Sequence, residues 1–330
     1  MLVSGVPDMK MRTGHILAAL LLPVLLSCSG GKGRKAVRVP EQDRAFPNVS
    51  VPSVYNSQEE VVQYLGQHYW DAFFAGGGPT DSARVLGVRT GDVEQALANY
   101  LAILDYLPLA EAQKGMAGLF DAISARQLAD TSSRVYLAMT DIVSKYLYDP
   151  NSPLRDEDYY APFVKAMAQS PLTRDDMRRA YSYEYSQCIM NPRGSVAPDF
   201  VITLKDGGKV RMHSIKAEFT LLFFSNPGCK NCLEIIERLK ADEFVGQMLD
   251  EKRLAVVNVY IDEDLAAWRE YMPVYPKEWL NGYDAARIIR EDVLYSVRAI
   301  PSLYLLDAEK RVLLKDAPVE KVLETLRSSL

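Results

Sequence analysis

The chain has 330 residues, nearly half of them hydrophobic, which is enough apolar material for two modest cores. A net charge of -5 without a long basic cluster argues against nucleic acid as a partner. In chain order, Lys10 and Arg12 form a positive n-region, Ile16 to Leu26 a short apolar h-region, and Leu25-Leu26-Ser27-Cys28 a lipobox. This predicts a cleaved signal over 1–27, with Cys28 as the lipid-modified first residue, rather than a permanent span. Asp8 is awkward in an n-region and points to Met9 as the start; an ordinary secretory signal with an accidental cysteine is the alternative. Residues 28–56, with a Gly/Lys/Arg stretch and then Pro40, Pro47 and Pro52, lack periodicity and read as a flexible tether. Ser29 stands where an aspartate signals inner-membrane retention in many Gram-negative bacteria. The expected place is therefore the outer membrane, facing the periplasm, a compartment that tolerates disulfides.

Residues 57–190 read as helical throughout. Ser57 with Glu60 makes a capping box, and the run to Phe73 has helical spacing until Gly76-Gly77-Gly78-Pro79. Further periodic stretches cover 92–105, 109–127, 132–148, 157–169 and 173–188, with the turn-forming Asp149-Pro150-Asn151-Ser152-Pro153 between two of them. Strand signals are absent here, and no set of acids, bases and nucleophiles stands out. Its many tyrosines read as amphipathic core and groove residues, in a bundle that binds, spaces or shields something.

From 191 to 330 the pattern becomes mixed. Val201–Leu204 and Val210–Met212 flank a turn and predict a hairpin. Thr220–Phe224 predicts a strand leading into Cys229-Lys230-Asn231-Cys232, and Leu233–Leu239 an amphipathic helix leading out. Leu254–Ile261 reads as a buried parallel strand, 264–272 as helix, and 273–282 as an irregular connection. Ser302–Leu306 and Arg311–Leu314 predict a second hairpin, and Pro318 opens a last helix to about Leu326. This order demands one mixed sheet with helices on both faces, giving an α+β chain: an all-α bundle followed by an α/β domain.

The strand would deliver Cys229 to a helix N-terminus, where unpaired N–H groups and the helix dipole favour thiolate. Two cysteines three apart can also close a disulfide, which suits thiol–disulfide exchange: Cys229 attacks and Cys232 resolves. No other cofactor is called for. A zinc half-site and an inert structural disulfide are the alternatives, but zinc usually needs four ligands, and only Cys188 and three scattered histidines remain. Cys188 is expected to be a buried, resting thiol, with a regulatory partnership for the Cys-X-X-Cys pair as the alternative.

Phe223 to Cys232, with Pro227 and Gly228 before the first cysteine, resembles the active-site turn of the thioredoxin fold. Ala299-Ile300-Pro301-Ser302 resembles its cis-proline strand. The leading hairpin and the long insert before Pro301 resemble the TlpA/ResA-like branch. Residues 146–155 (Tyr146-Leu147-Tyr148-Asp149-Pro150-Asn151-Ser152-Pro153-Leu154-Arg155) resemble a domain of unknown function found ahead of thioredoxin-like domains in Gram-negative lipoproteins. The resemblance implies a reductant of disulfide-bearing extracytoplasmic proteins, supplied by a membrane-embedded thiol reductase, with Ile300 and Pro301 presenting backbone to an extended client. A trans proline at a strand start is the alternative for Pro301. Phe223 replaces the buried aspartate usual in cytosolic thioredoxins, Ile235 a glutamate frequent in TlpA/ResA relatives, and Gly228 a tryptophan; Glu234 points about 100° away from Ile235 on the helix. Lys230, an exposed cation, is a weak lever on Cys229. A client-binding module whose Cys-X-X-Cys senses or staples is the competing reading. A peroxidase would need a threonine or serine at Asn226 and a proline at Leu222, and a copper chaperone a histidine near Pro301.

Overall fold

Ser57 starts helix α1 (Gln58–His68) through the reciprocal bonds of a capping box: its hydroxyl accepts from the Glu60 N–H, and its own N–H donates to the Glu60 carboxylate. The computed structural model describes residues 43–329; the signal, Cys28 and the first part of the tether lie outside the described residues. Residues 43–46 are not free tether. Arg44 donates to the carbonyls of Leu86 and Phe73, and Phe46 sits among Tyr69, Trp70 and Phe73 with ring centroids 5.4–5.9 Å away. The single helix expected to reach Phe73 breaks at Tyr69-Trp70 and resumes as α2 (Asp71–Ala75), which closes these rings around Phe46.

The helical half also contains two short strands, where none is expected. Arg84–Val85 (β1) and Val88–Arg89 (β2) form a small hairpin whose two turn residues, Leu86 and Gly87, have φ of 51° and 81°, the backbone of a two-residue primed turn. Strands of two residues carry too little alternation to register as a pattern. The remaining helices, α3 (Thr90–Leu104), α4 (Leu109–Ala129), α5 (Val135–Leu147), α6 (Glu157–Gln169) and α7 (Asp175–Cys188), lie within three residues of expectation. Their apolar faces, including Leu97, Met116, Ile123, Val143 and Phe163, share one buried cluster.

The second half builds a seven-stranded mixed sheet. Its strands are β3 (Val201–Leu204), β4 (Lys209–Arg211), β5 (Phe219–Phe224), β6 (Leu254–Tyr260), β7 (Leu280–Tyr283), β8 (Ser302–Leu306) and β9 (Val312–Leu314), in the order β4-β3-β7-β6-β5-β8-β9. β5, β6 and β7 run parallel, while β8 is antiparallel to β5. Strand β7 replaces part of the expected irregular connection. Its Gly282 allows close approach, since a Cβ there would meet the Thr203 carbonyl oxygen at 2.8 Å and also the Ile202 side chain.

All six residues of β5 are buried, as a central strand covered on both faces requires. One face packs against α8 (Lys230–Lys240), α9 (Glu243–Asp250), α10 (Leu265–Tyr271) and α11 (Val319–Ser328) through residues such as Ile236, Val245, Trp268 and Leu326. The other packs against Phe200, Met212, Ile289 and Tyr295, so the connection before Pro301 forms much of that layer. The segment after α7 braces the connection: Asn191 Nδ2 donates to the Leu294 carbonyl at 3.2 Å.

Helix α9, an addition to the expected elements, starts at Asp242, whose carboxylate accepts from the Val245 N–H and pairs with Arg238 and Arg327. Burial pushes this carboxyl up, but the Val245 N–H, Arg327 and Arg238 outweigh it and leave the pKa lowered. Asp242→Ala is therefore expected to cost about 1–2 kcal/mol in urea unfolding at pH 7. Because the folded pKa is depressed, the contribution is present above the unfolded value of about 3.9. It is lost as pH falls through the folded value. The gap between wild type and variant should therefore narrow in acid; a gap that widens would show another source.

Candidate active site

Strand β5 ends at Phe224, and the chain turns at once through Asn226-Pro227-Gly228-Cys229. Pro227 takes the second place of this turn and Gly228, with φ of 73°, the third, while the Cys229 N–H donates to the Asn226 carbonyl at 3.3 Å. This is a type II turn, and its third place needs φ above zero, which accounts for a glycine at 228. The turn delivers Cys229 to the N-cap of α8. Its sulfur accepts the Cys232 N–H at 3.2 Å, and its carbonyl accepts from Leu233 at 3.1 Å.

Cys229 and Cys232 are joined in a disulfide across this first helical turn, with Cα atoms 5.2 Å apart. The two sulfurs are not equivalent. Cys229 is half-buried and reachable, whereas Cys232 is 2% exposed inside the apolar cluster. Once reduced, Cys229 holds its sulfur against a helix N-terminus, an arrangement that favours thiolate. Lys230 and Asn231 face solvent between them, and Lys230 stands 3.7 Å from Glu234 one helical turn on. An exposed cation already beside a carboxylate adds little to the field at Cys229.

Register places the second sequence motif beside the first. Ser302 of β8 pairs with Phe224 of β5, so Ile300 and Pro301 flank the turn that carries Cys229. The Ile300–Pro301 peptide is cis. Ile300 and Cys229 pack against the same apolar cluster, and among the described residues no hydrogen bond engages the Ile300 backbone. Phe223 is fully buried, edge-on to Trp279. Beneath the turn, Ser225 Oγ donates to Asn258 Oδ1, Asn258 Nδ2 to Asn281 Oδ1, and Asn281 Nδ2 to the Pro276 carbonyl, at 2.5, 3.0 and 2.7 Å. These groups are neutral amides and hydroxyls: they fix the end of β5 without supplying a proton acceptor.

Cys188 belongs elsewhere. It ends α7, is 1% exposed, and lies in the helical cluster; burial, with Glu157 adding to it, pushes its thiol up. With the reduced protein at pH 7, iodoacetamide is expected to label Cys229 quickly and Cys188 only after unfolding. Mass spectrometry of the digested protein reads this, and early labelling of Cys188 would contradict it.

The helical half reaches this site, which the sequence left open. Clefts of about 530 and 540 Å³ lie on either side of Ala299-Ile300, and Pro150 borders both. Arg298, two residues before Ile300, fastens the junction. It donates to the Glu157 carboxylate at 2.5 Å, the Tyr148 carbonyl at 2.5 Å and the Asp316 carboxylate at 2.8 Å, and its guanidinium lies 4.0 Å from the centre of the Tyr148 ring. Lys315 joins Glu157 at 2.6 Å and donates to three carbonyls at the end of α7. No sequence signal singled out Arg298, Glu157 or Lys315, because each is an ordinary charged residue until the halves meet.

Residues 217–312 match a family described as thioredoxin-like, and residues 27–191 match one described as a domain of unknown function (DUF5106). The solved structure of a thioredoxin-like protein from Bacteroides caccae is 37% identical, with a TM-score of 0.72, over 87% of this chain and 99% of that one. The chain belongs to this thioredoxin-like family. The thioredoxin-like half is also similar to the C-terminal domain of an uncharacterized protein from Bacteroides fragilis (45% identity, 42% of this chain and 98% of that one, TM-score 0.41). A further similarity is to the thioredoxin domain of a thiol-disulfide oxidoreductase from Bacteroides vulgatus (21% identity, 42% and 97%, TM-score 0.37). No curated protein matches significantly.

Proposed function

We propose that this thioredoxin-like protein is a thiol–disulfide oxidoreductase that reduces client proteins. One observation carries the reading: a reachable sulfur caps α8 and is bonded to a buried partner, beside the unengaged backbone of Ile300. In the forward cycle the Cys229 thiolate attacks a client disulfide, forming a Cys229–client bond and expelling the other client sulfur as thiolate. Cys232, losing its proton, then attacks Cys229, closing the internal disulfide and releasing the second client thiol. Two electrons pass from the dithiol to the client, and a thiol reductant must restore the pair; a membrane-embedded thiol reductase is the proposed donor. Ile300 and Pro301 are proposed to dock an extended client strand by backbone hydrogen bonds. Lipid attachment at Cys28, on an outer membrane and facing the periplasm, is the proposed setting.

Insulin reduction by the full chain, with dithiothreitol as the electron source, tests the chemistry. Turnover above the dithiothreitol background that disappears in Cys229→Ser supports it; equal rates for the two proteins would overturn it in favour of a client-binding module with a structural staple.

A further inference from the structure

We infer that the cleft on the Tyr148 side of Ile300 is a specificity pocket that takes a large apolar side chain of the client, next to the client's disulfide cysteine. The inference rests on the exchange reading above and adds the substrate class. The cleft, of about 530 Å³, is of the size that receives one bulky group. Tyr148, Pro150 and Tyr183 wall it from the helical half, while Ile289, Val293 and Ile300 wall it from the sheet half. It therefore exists only because both halves are present. It borders the reacting centre through Ile300 and through Asn226, the first residue of the turn holding Cys229.

Charge and strain both point to an apolar occupant. The charged residues around the cleft are already neutralised: Arg290 pairs with Asp262, and Arg298 with Glu157 and Asp316. A charged client side chain would find no free counter-charge. Val293, meanwhile, is 42% exposed and sits at φ of 50°. A β-branched residue is strained there, and its apolar surface is left open on the cleft, where a client side chain can cover it. Tyr183, 64% exposed on α7, offers the facing ring. An extended strand held at Ile300 would place alternate side chains to one side, into this cleft.

The test uses the reduced full chain and two synthetic peptides, each closed by one disulfide, with either phenylalanine or aspartate flanking the cysteines. The wild type is expected to reduce the phenylalanine peptide about tenfold faster, the scale of one filled apolar subsite. In Tyr183→Ser and Val293→Asn that ratio should fall to about threefold or less. Asparagine tolerates the backbone of position 293, so this variant is expected to fold. Exchange with both peptides at equal rates, or a ratio unchanged in both variants, would overturn the pocket while leaving the oxidoreductase standing. Exchange with neither peptide, nor with oxidised glutathione, would overturn the exchange reading and the pocket with it. A dimer in sedimentation that Tyr183→Ser dissolves would show that a second copy fills the cleft, which also overturns the inference.

Discussion

Cys232→Ser is expected to halt the reaction half-way and leave client proteins covalently attached to Cys229. The reason lies in the unequal placement of the two sulfurs. Cys229, half-buried at the N-cap of α8, can be approached by a foreign disulfide; Cys232, 2% exposed, can reach only the Cys229 sulfur, and attacks it once it is bound to a client. That second attack is intramolecular, so in the wild type it outruns escape by any outside thiol. Serine keeps the size of the side chain but cannot displace a sulfur, so the adduct persists until a reductant arrives. Cys229→Ser, by contrast, removes the first nucleophile and should lower turnover by about 10³ or more with no adduct at all. Non-reducing electrophoresis followed by mass spectrometry of the linked peptides distinguishes these cases. Adducts joined through Cys188, or through Cys232 in Cys229→Ser, would contradict the order of attack.

The parts of this site that were legible in the sequence are those written in adjacent residues. Asn226 to Cys232 spells a turn and a helix start, and Ile300-Pro301 before Ser302–Leu306 spells a strand entry; β5 and β8 bring the two together because both are continuous apolar runs. Strand β7 was hidden because Leu280-Asn281-Gly282-Tyr283 lacks a strand's composition. Its place is set by the close approach at Gly282 and by Asn281, which bridges Asn258 and the Pro276 carbonyl. Polar residues that serve one another in a buried layer look like loop residues in a linear reading. The anchoring of residues 43–46 is not legible in the sequence for the same reason: Arg44 and Phe46 acquire meaning only from Phe73 and Leu86, far along the chain.

The junction between halves is the extreme case of a feature that sequence does not display, and it yields the largest expected loss of stability. Glu157 is 2% exposed and lies between Arg298 and Lys315, themselves 11% and 1% exposed. Removing it in Glu157→Ala leaves two buried cations short of a counter-charge. Breaking a buried pair in this way costs about 3–5 kcal/mol, because the partner's lost hydration is no longer offset. Against a total of about 5–15 kcal/mol for a typical domain, that is a large fraction. Urea unfolding should show the midpoint falling with the slope unchanged. Glu157→Gln, which keeps an acceptor and the volume, should lose less than the alanine variant.

The effect should reach the site, since the same Arg298 that binds Glu157 also holds the Tyr148 carbonyl and leads into Ile300. Arg298→Lys separates charge from shape: an ammonium keeps the charge but lacks the planar fork that meets Tyr148, Glu157 and Asp316 together. Client trapping by Arg298→Lys combined with Cys232→Ser should therefore weaken even where the protein remains folded. If Glu157→Ala unfolds within about 0.5 kcal/mol of wild type, the scale of a neutral surface change, the cluster does not hold the halves together.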